Sequence, residues 1–192
     1  TYVGRFADVT RLQDDTLLSA CYWAPVSSHA AMAYGDPLGC IKVTYGSADA
    51  KTWSEPAELI TPEKLGQWGL GVWRDDAGNF YYNAEDAAAN NASIQVEPRD
   101  PNLAVMPDGT VLLTFFMRVP TESNFLGKTL EVYSNSVFSP AGAFIMYSKD
   151  HGQSWSEPTE IQTEVVVGGT AKRGDIAVYS DGQILIPIYG FD

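Results

Sequence analysis

The chain has 192 residues, enough for one sizeable hydrophobic core or two small ones, and it carries a formal net charge of −12 at pH 7. This acidity argues against a nucleic-acid partner, because binding to phosphates requires a basic surface. The longest apolar stretches, residues 111–117 and 184–188, are of strand length. A membrane-spanning helix needs about 20 apolar residues, so we expect no membrane span.

A strand, a tight turn and a second, more apolar strand occur together three times, at residues 12–18, 106–113 and 179–186. Each turn carries Asp followed by Gly, except that Asp15 replaces the Gly in the first copy. The second residue of such a turn needs a positive φ, which Gly adopts freely and Asp tolerates. The pattern predicts three β-hairpins, with Asp15 in the left-handed region.

Cys21 and Cys40 fall in two strand-like runs that would be neighbours in one sheet. Two cysteines alone form neither a disulfide framework nor a zinc site. We favour two buried thiols over a disulfide, which remains the alternative. We expect no metal site and no cofactor.

Two further segments match each other, residues 51–59 and 153–161, and both contain Trp-Ser-Glu-Pro. A hairpin, a loop, a strand, a tight turn and this segment make four short antiparallel strands, which is typical of a β-propeller blade. The sequence therefore predicts an all-β chain with blade one at 5–60, blade two at 99–162 and the start of blade three at 167–192. Such an open array leaves unpaired strand edges, so we expect the other blades of a ring of about six in a longer parent chain, or else in a second chain.

Residues 61–98 lie between these units and predict an insertion or an irregular extra blade. Trp68 and Trp73 in this segment are candidates for stacking on sugar rings, and a small satellite core explains them equally well. Helical periodicity is nearly absent from the chain, and the Ala-rich residues 85–92 predict one helical turn and little more. Asn91 begins an N-glycosylation sequon with Ser93.

The turn that starts at Ser148 has the sequence Ser-Lys-Asp-His-Gly-Gln-Ser-Trp. At this spacing we expect the Asp150 carboxylate to accept backbone N–H groups, Gly152 to supply a positive φ and Trp155 to pack into the blade core. The turn resembles the Asp box of the sialidase superfamily, with Ser in place of Thr. The resemblance covers the chain outside residues 61–98.

A second, degenerate copy of this turn is one residue shorter and lacks the Gly. It is formed by Ser47, Asp49 and Trp53. In sialidases the Asp box lies at the blade periphery, away from the catalytic centre. The resemblance therefore implies structural roles for both copies.

An arginine lies nine residues before the Asp turn in the first two units and eight before it in the third, at Arg5, Arg99 and Arg173. The innermost strands of a propeller line its channel, so we expect these arginines to converge there and to bind a carboxylate bidentately. The candidate substrate-binding residues are these arginines and the nearby acids Asp8, Asp100 and Asp175. The alternative is that each arginine pairs locally with its acid to brace the channel.

The segment Arg5-Phe6-Ala7 resembles the Arg-Ile-Pro motif of sialidases, which implies that Arg5 is one of three arginines gripping the sialic acid carboxylate. The same resemblance places Asp36 in the loop that carries the acid/base aspartate. An ordinary Asp-Pro turn is an equal alternative for Asp36. His29 in the same loop is a lesser candidate for proton transfer.

In sialidases the nucleophile is a tyrosine activated by a glutamate, and both come from later blades, so we name no nucleophile. The resemblance implies an exo-acting glycoside hydrolase of an acidic, sialic acid-like terminal sugar, in the extracellular space or the periplasm. One alternative is a related propeller enzyme, hydrolase or lyase, on another uronate or on a neutral glycan. The other is a non-catalytic propeller that binds glycans or proteins.

Overall fold

The computed structural model describes residues 2–25, 33–128, 130, 136–162, 170–172 and 174–190. These residues form mainly antiparallel sheets with two short helices. The elements in chain order are β1 (Tyr2–Arg11), β2 (Leu17–Pro25), β3 (Cys40–Gly46), β4 (Ala57–Ile60), α1 (Pro62–Gln67), β5 (Trp73–Arg74), β6 (Phe80–Tyr81), α2 (Ala84–Ala89), β7 (Ser93–Ile94), β8 (Glu97–Val105), β9 (Val111–Pro120), a 3-10 turn (Phe125–Gly127), β10 (Phe138–Ser148), β11 (Thr159–Glu160), β12 (Thr170–Lys172), β13 (Ala177–Val178), β14 (Ile184–Leu185) and β15 (Ile188–Gly190).

The first sheet is a meander in which neighbouring strands follow the chain, in the order β1-β2-β3-β4. Its first hairpin closes where the Asp14 carboxylate accepts hydrogen bonds from the backbone N–H (3.1 Å) and the hydroxyl (2.6 Å) of Thr16. Asp15 has a φ of +68°. This confirms the predicted left-handed conformation at the position where the other two hairpins have Gly.

The second sheet repeats this order with β8, β9, β10 and β11. Every residue of β9 is buried, which agrees with its nearly continuous apolar run. One cluster of buried apolar side chains includes Leu18 of the first sheet, Leu113 of the second and Val72 of the segment between them. The two sheets and the connecting segment therefore share a core.

The segment between the two sheets contains α1, the two-residue strands β5–β7 in the order β6-β5-β7, and α2. The short helix α1 was not predicted, and it begins at the N-cap Thr61 with Pro62 in its first turn. The single turn predicted in the Ala-rich stretch corresponds to α2, whose N-cap Asn83 accepts a hydrogen bond from the backbone N–H of Asp86 (2.8 Å).

The last described residues form two short antiparallel pairs, β12 with β15 and β13 with β14. The all-β class is thus confirmed at the level of antiparallel four-stranded sheets with few helices. Among the described residues, no helix has the length and apolar character that crossing a membrane requires.

The two cysteines lie diagonally across the β2–β3 pair, because Cys21 is opposite Lys42 and Cys40 is opposite Trp23. Both thiols are free and partly buried. Burial, with a smaller contribution from the charge of Glu58, raises the pKa of Cys40 to about 11. This arrangement agrees with the interpretation of the two cysteines as thiols rather than as a disulfide.

The turn at Ser148 is held together by its own polar side chains. The Asp150 carboxylate accepts hydrogen bonds from the backbone N–H (2.8 Å) and the hydroxyl (2.5 Å) of Ser154, and these bonds are the main cause of a pKa lowered to about 2. The Ser148 hydroxyl accepts a bond from the N–H of Gly152 (2.8 Å), whose φ is +85°. The indole of Trp155 donates to the carbonyl of Gly152 (2.8 Å) and packs against the core.

The shorter turn at Ser47 is also held together by its own polar side chains, with a weaker set of hydrogen bonds. Ser47 donates to the Asp49 carboxylate (2.7 Å), and Ala50 has a φ of +59°, close to the +58° of His151, which follows the Asp in the longer copy. Trp53 is 42 % exposed and lies over Gly46. This shorter turn leaves the Trp53 ring on the surface of its sheet, whereas Trp155 packs against the core.

Candidate functional site

The first strands of the two sheets contain the same backbone irregularity next to a predicted arginine. The β1–β2 register shifts between Arg5 and Asp8, and the β8–β9 register shifts between Arg99 and Asn102. In each case the residue after the arginine has a positive φ, +49° at Phe6 and +46° at Asp100. A β-bulge increases local twist and redirects side chains, and such strain is concentrated at functional sites.

In the third unit, Gly174 has a φ of +94° and directly follows Arg173. The positive φ thus recurs after all three arginines of the predicted set. Arg173 itself and His29 lie outside the described residues. Their predicted roles stay predictions.

Arg99 points into the protein and is only 3 % exposed. Its Nε donates a 2.5 Å hydrogen bond to Oε1 of Glu97, two residues earlier on the same strand. Its guanidinium lies 4.4 Å from the ring centre of Tyr22 on β2, within the range of a cation–π interaction. The arginine is therefore held by an ion pair and an aromatic ring.

Glu97 is fully buried and joins three parts of the chain. Besides its bond from Arg99, its Oε2 accepts hydrogen bonds from the Tyr22 hydroxyl (2.8 Å) and from the backbone N–H of Gly39 (2.8 Å). Gly39 belongs to the loop of residues 33–39 before β3. Sequence reasoning missed Glu97, although a charged residue that opens a buried strand two positions before an arginine was a usable signal.

Arg118 on β9 is a second buried arginine that the sequence interpretation missed. It is opposite Glu97 in the β8–β9 register and is 5 % exposed. Its Nη2 donates to the Ser136 hydroxyl (2.6 Å) and to the Phe138 carbonyl (3.3 Å). Its Nε has no hydrogen-bond partner among the described residues. A lone arginine within the apolar run of β9 was the available signal.

The charges around Arg118 act in opposite directions. Burial lowers the pKa of its guanidinium most, the positive charge of Arg99 lowers it further, and Glu97 opposes both. Asp100, which is partly buried, also acts to raise the pKa of Arg118. Two buried guanidinium groups therefore lie close to one fully buried carboxylate, Glu97.

Arg5 is opposite Tyr22 in the β1–β2 register, so the two side chains share one face of the first sheet. Since Tyr22 contacts Arg99, Arg5 lies on the same side of the sheet as the buried pair. Arg5 is only partly buried. We name these three residues, Arg5, Arg99 and Arg118, the arginine cluster.

The acids predicted beside the arginines have different positions. Asp8 links the two sheets, because its Oδ2 accepts hydrogen bonds from the backbone N–H of Leu103 (2.8 Å) and from Nδ2 of Asn102 (3.3 Å). Its Oδ1 accepts a bond from the N–H of Val9 (2.8 Å). These bonds connect β1 to β8. Asp175 is exposed.

Asp36 lies in a closed turn of the loop of residues 33–39. Its Oδ2 accepts a hydrogen bond from the backbone N–H of Ala33 (2.9 Å), and its own N–H donates to the Ala33 carbonyl (3.2 Å). Gly35 in this turn has a φ of +87°. Because Asp36 is three residues from Gly39, their Cα atoms are at most about 11 Å apart. The turn therefore lies within about 11 Å of Gly39, whose N–H donates to Glu97.

The two tryptophans predicted as a substrate wall pack inwards. Trp68 contacts the main apolar cluster. The ring of Trp73 lies so close to Gly66 and Gly71 that a Cβ at Gly71 would be 2.0 Å from it. Trp68 thus packs on the core that the segment shares with the two sheets, and not on a separate satellite core.

No family model and no curated protein matches this sequence. Solved structures with a similar fold include a protein of unknown function from Dyadobacter fermentans, with 19 % identity and a TM-score of 0.61 over 95 % of this chain and 45 % of that one. They also include the NanB sialidase of Streptococcus pneumoniae, with 14 % identity and a TM-score of 0.60 over 97 % of this chain and 41 % of that one. A third is the Hadza microbial sialidase Hz136, with 16 % identity and a TM-score of 0.58 over 97 % of this chain and 32 % of that one.

The chain spans less than half the length of each of these structures. At such low identity the likeness concerns the fold alone. The chain has a β-rich fold that is similar to part of these structures, two of which are sialidases.

Proposed function

We propose that the chain is part of an exo-acting, sialidase-like glycoside hydrolase that removes an acidic terminal sugar from glycans. The observation that carries this proposal is the placement of two buried guanidinium groups, Arg99 and Arg118, beside a single fully buried carboxylate, Glu97. A buried cation is costly unless an anion lies close to it. A sugar carboxylate supplies that anion and fits the bidentate geometry of arginine.

Within the arginine cluster, Arg5 is the member with access to solvent. We assign it the direct contact with the sugar carboxylate. Arg99 and Arg118 lie deeper in the protein and act through their charge, since their buried positive charges make the region attractive to an anion. The strained bulge after Arg5 fixes the direction of its side chain.

Asp36 is the proposed general acid, which protonates the leaving oxygen. The nucleophile is not Tyr22, although its hydroxyl bonds to Glu97 as in a tyrosine–glutamate pair. Tyr22 is fully buried, and further blades can only decrease the exposure of a side chain. The nucleophile and its base are therefore expected in later blades, as the sialidase resemblance implies.

The proposal includes the architecture of the whole protein. We take the two four-stranded sheets as adjacent propeller blades and the pairs β12–β15 and β13–β14 as the start of a third. This is supported by the repeated strand order and by the sialidase structures that the chain resembles in part. The remaining blades come from a longer parent chain or a second chain, and the protein acts outside the cytoplasm.

One observation favours a second candidate, a propeller that binds acidic glycans without hydrolysis. One oxygen of Asp36 already accepts a hydrogen bond within its own turn, as a purely structural Asp would do. In that case the arginine cluster binds the sugar and no bond is broken.

Release of a fluorogenic aryl group from a sialoside by the protein tests the proposal, with the matching glucuronide as a comparison for uronate specificity. We expect Arg5→Ala to weaken binding of the acidic sugar and Asp36→Asn to spare binding while stopping release. Arg11→Ala, at an exposed arginine that bonds the carbonyls of Asp15 and Ala48, is the matched control. Binding without release by the unaltered protein would favour the second candidate, and full release by Asp36→Asn would remove Asp36 as the acid.

A further inference from the structure

The loop of residues 33–39, which carries Asp36, is attached to the rest of the protein on two sides. At its end, the backbone N–H of Gly39 donates to Glu97. This end also lies directly on Tyr22, because a Cβ at Gly39 would be 2.3 Å from the Tyr22 ring. The loop is therefore seated on the residues that hold Arg99.

At its start, the loop is attached through Tyr34. The ring of Tyr34 lies 4.0 Å from the guanidinium of Arg74 on β5, and it packs at 5.8 Å, tilted, on Phe138 of β10. The same guanidinium lies 5.9 Å from the ring of Phe80, its partner across the β5–β6 pair. Arg74 is thus placed between two aromatic rings.

The contacts of Arg74 indicate what it does. Among the described residues it forms no ion pair, and its Nε has no hydrogen-bond partner. Its interaction with the loop is therefore the cation–π contact with Tyr34. Arg74 therefore acts on the loop by holding the ring of Tyr34.

Tyr34 and Asp36 belong to the same turn, which is closed by the bonds between Ala33 and Asp36, so we expect them to move together. A shift of Tyr34 away from Arg74 therefore shifts the Asp36 carboxylate. A general acid must lie within hydrogen-bond reach of the leaving oxygen, so a displacement of about 1 Å matters for its efficiency.

We propose that Glu97 and Arg74 are positioning residues that fix the Asp36 turn beside the arginine cluster, Glu97 through Gly39 and Arg74 through Tyr34. This inference rests on the role of Asp36 as general acid in the proposed function. The segment between the two sheets then contributes to the reaction, because it supplies Arg74.

The test compares aryl glycosides of the acidic sugar that differ only in their leaving group. A nitrophenolate departs with little need of a proton, whereas an unactivated phenol requires the acid. We expect Arg74→Leu and Glu97→Gln to lower kcat on the unactivated phenyl glycoside by about tenfold or more, and on the nitrophenyl glycoside by less than about threefold. Arg74→Lys, which keeps the cation over Tyr34, should recover most of the loss.

Two controls match these variants in chemistry. Arg11→Leu removes an exposed arginine, and Glu58→Gln removes the exposed partner of the Lys42 ion pair. Asp36→Asn serves as the reference for loss of the acid. If Asp36→Asn shows the leaving-group dependence and the positioning variants slow both substrates equally, the inference is wrong and the proposed function stands.

Hydrogen exchange provides a second readout that needs no turnover. We expect faster exchange at Gly39 in Glu97→Gln and at residues 33–36 in Arg74→Leu, with exchange in β9 and β10 unchanged. If Asp36→Asn slows the cleavage of both substrates equally, or if no substrate is cleaved, the proposed function fails. Hydrogen exchange then tests by itself whether Glu97 and Arg74 hold the loop. Unchanged exchange at residues 33–39 in both variants would overturn the inference in every case.

Discussion

The hydroxyl of Tyr22 on β2 lies 2.8 Å from Oε2 of Glu97 on β8, and both side chains are fully buried. This bond joins the two sheets beneath the arginine cluster. It also fixes the carboxylate that holds Arg99 and the loop of residues 33–39. A buried bond to a charged acceptor is among the stronger side-chain bonds in a protein.

Tyr22→Phe removes only this hydroxyl. We expect the free energy of unfolding to fall by about 1.5–3 kcal/mol, because a buried carboxylate loses one of its donors. Turnover should fall by less than about tenfold, since the nucleophile is a different residue. Urea unfolding and the rate of aryl glycoside cleavage measure the two effects. Loss of all turnover with unchanged stability would instead identify Tyr22 as the nucleophile.

Asp8 provides a test of bracing against substrate contact. Its three hydrogen bonds to β1 and β8 predict that Asp8→Ala lowers the free energy of unfolding by about 1–3 kcal/mol. Asp8→Asn keeps an acceptor for Leu103 and should lose less. Both variants should retain their affinity for the acidic sugar. Weaker sugar binding in a variant of normal stability would instead indicate that Asp8 contacts the substrate.

The Asp150 turn predicts a specific dependence of stability on pH. The pKa of Asp150 is lowered to about 2 in the folded protein from an ordinary 3.8, mainly by hydrogen bonds from Ser154. The stabilisation is therefore complete above about pH 4 and is lost as the pH falls towards 2. The urea midpoint of Asp150→Asn should be lower than that of the unaltered protein at pH 6, and the gap should close at low pH. A gap that is independent of pH, or as large for the exposed Asp76→Asn, would contradict this.

The raised pKa of Cys40 predicts an inert thiol. With a pKa of about 11, only about 0.1 % of Cys40 is thiolate at pH 8, and the thiolate is the reactive form. Iodoacetamide should label Cys40 slowly in the folded protein and rapidly in urea, as read by mass spectrometry. Since Cys21 and Cys40 lie diagonally, the chain should also show two free thiols without reductant. A disulfide under these conditions would contradict the observed register.

The sequence predicted the elements whose signals are local. The hairpins follow from Asp-Gly turns and from Asp15, and the four-stranded units follow from the repeated Trp-Ser-Glu-Pro segments. Helix α1 was missed although Thr61 and Pro62 are a recognisable start, because six residues show too little periodicity.

The centre of the candidate site was not predictable in the same way. Arg5 and Arg99 could be found from their spacing to the turns. Glu97 could be noticed as a charged residue in a buried strand, but its role could not be assigned, because its partners Tyr22 and Gly39 are 75 and 58 residues away in the chain. The contact of Arg74 with Tyr34 likewise depends on how the segment between the sheets folds onto the loop. Such contacts are set by packing of distant segments and leave no periodic pattern.

The central claim is that the arginine cluster binds the carboxylate of an acidic sugar. The most direct measurement is a calorimetric titration of the protein with N-acetylneuraminic acid and with its methyl ester, in which a methyl group on the carboxyl removes the negative charge. We expect the acid to bind about tenfold more tightly or better, and Arg5→Ala to remove most of that difference. Equal affinities for the acid and the ester, or a preference that survives Arg5→Ala unchanged, would contradict the account.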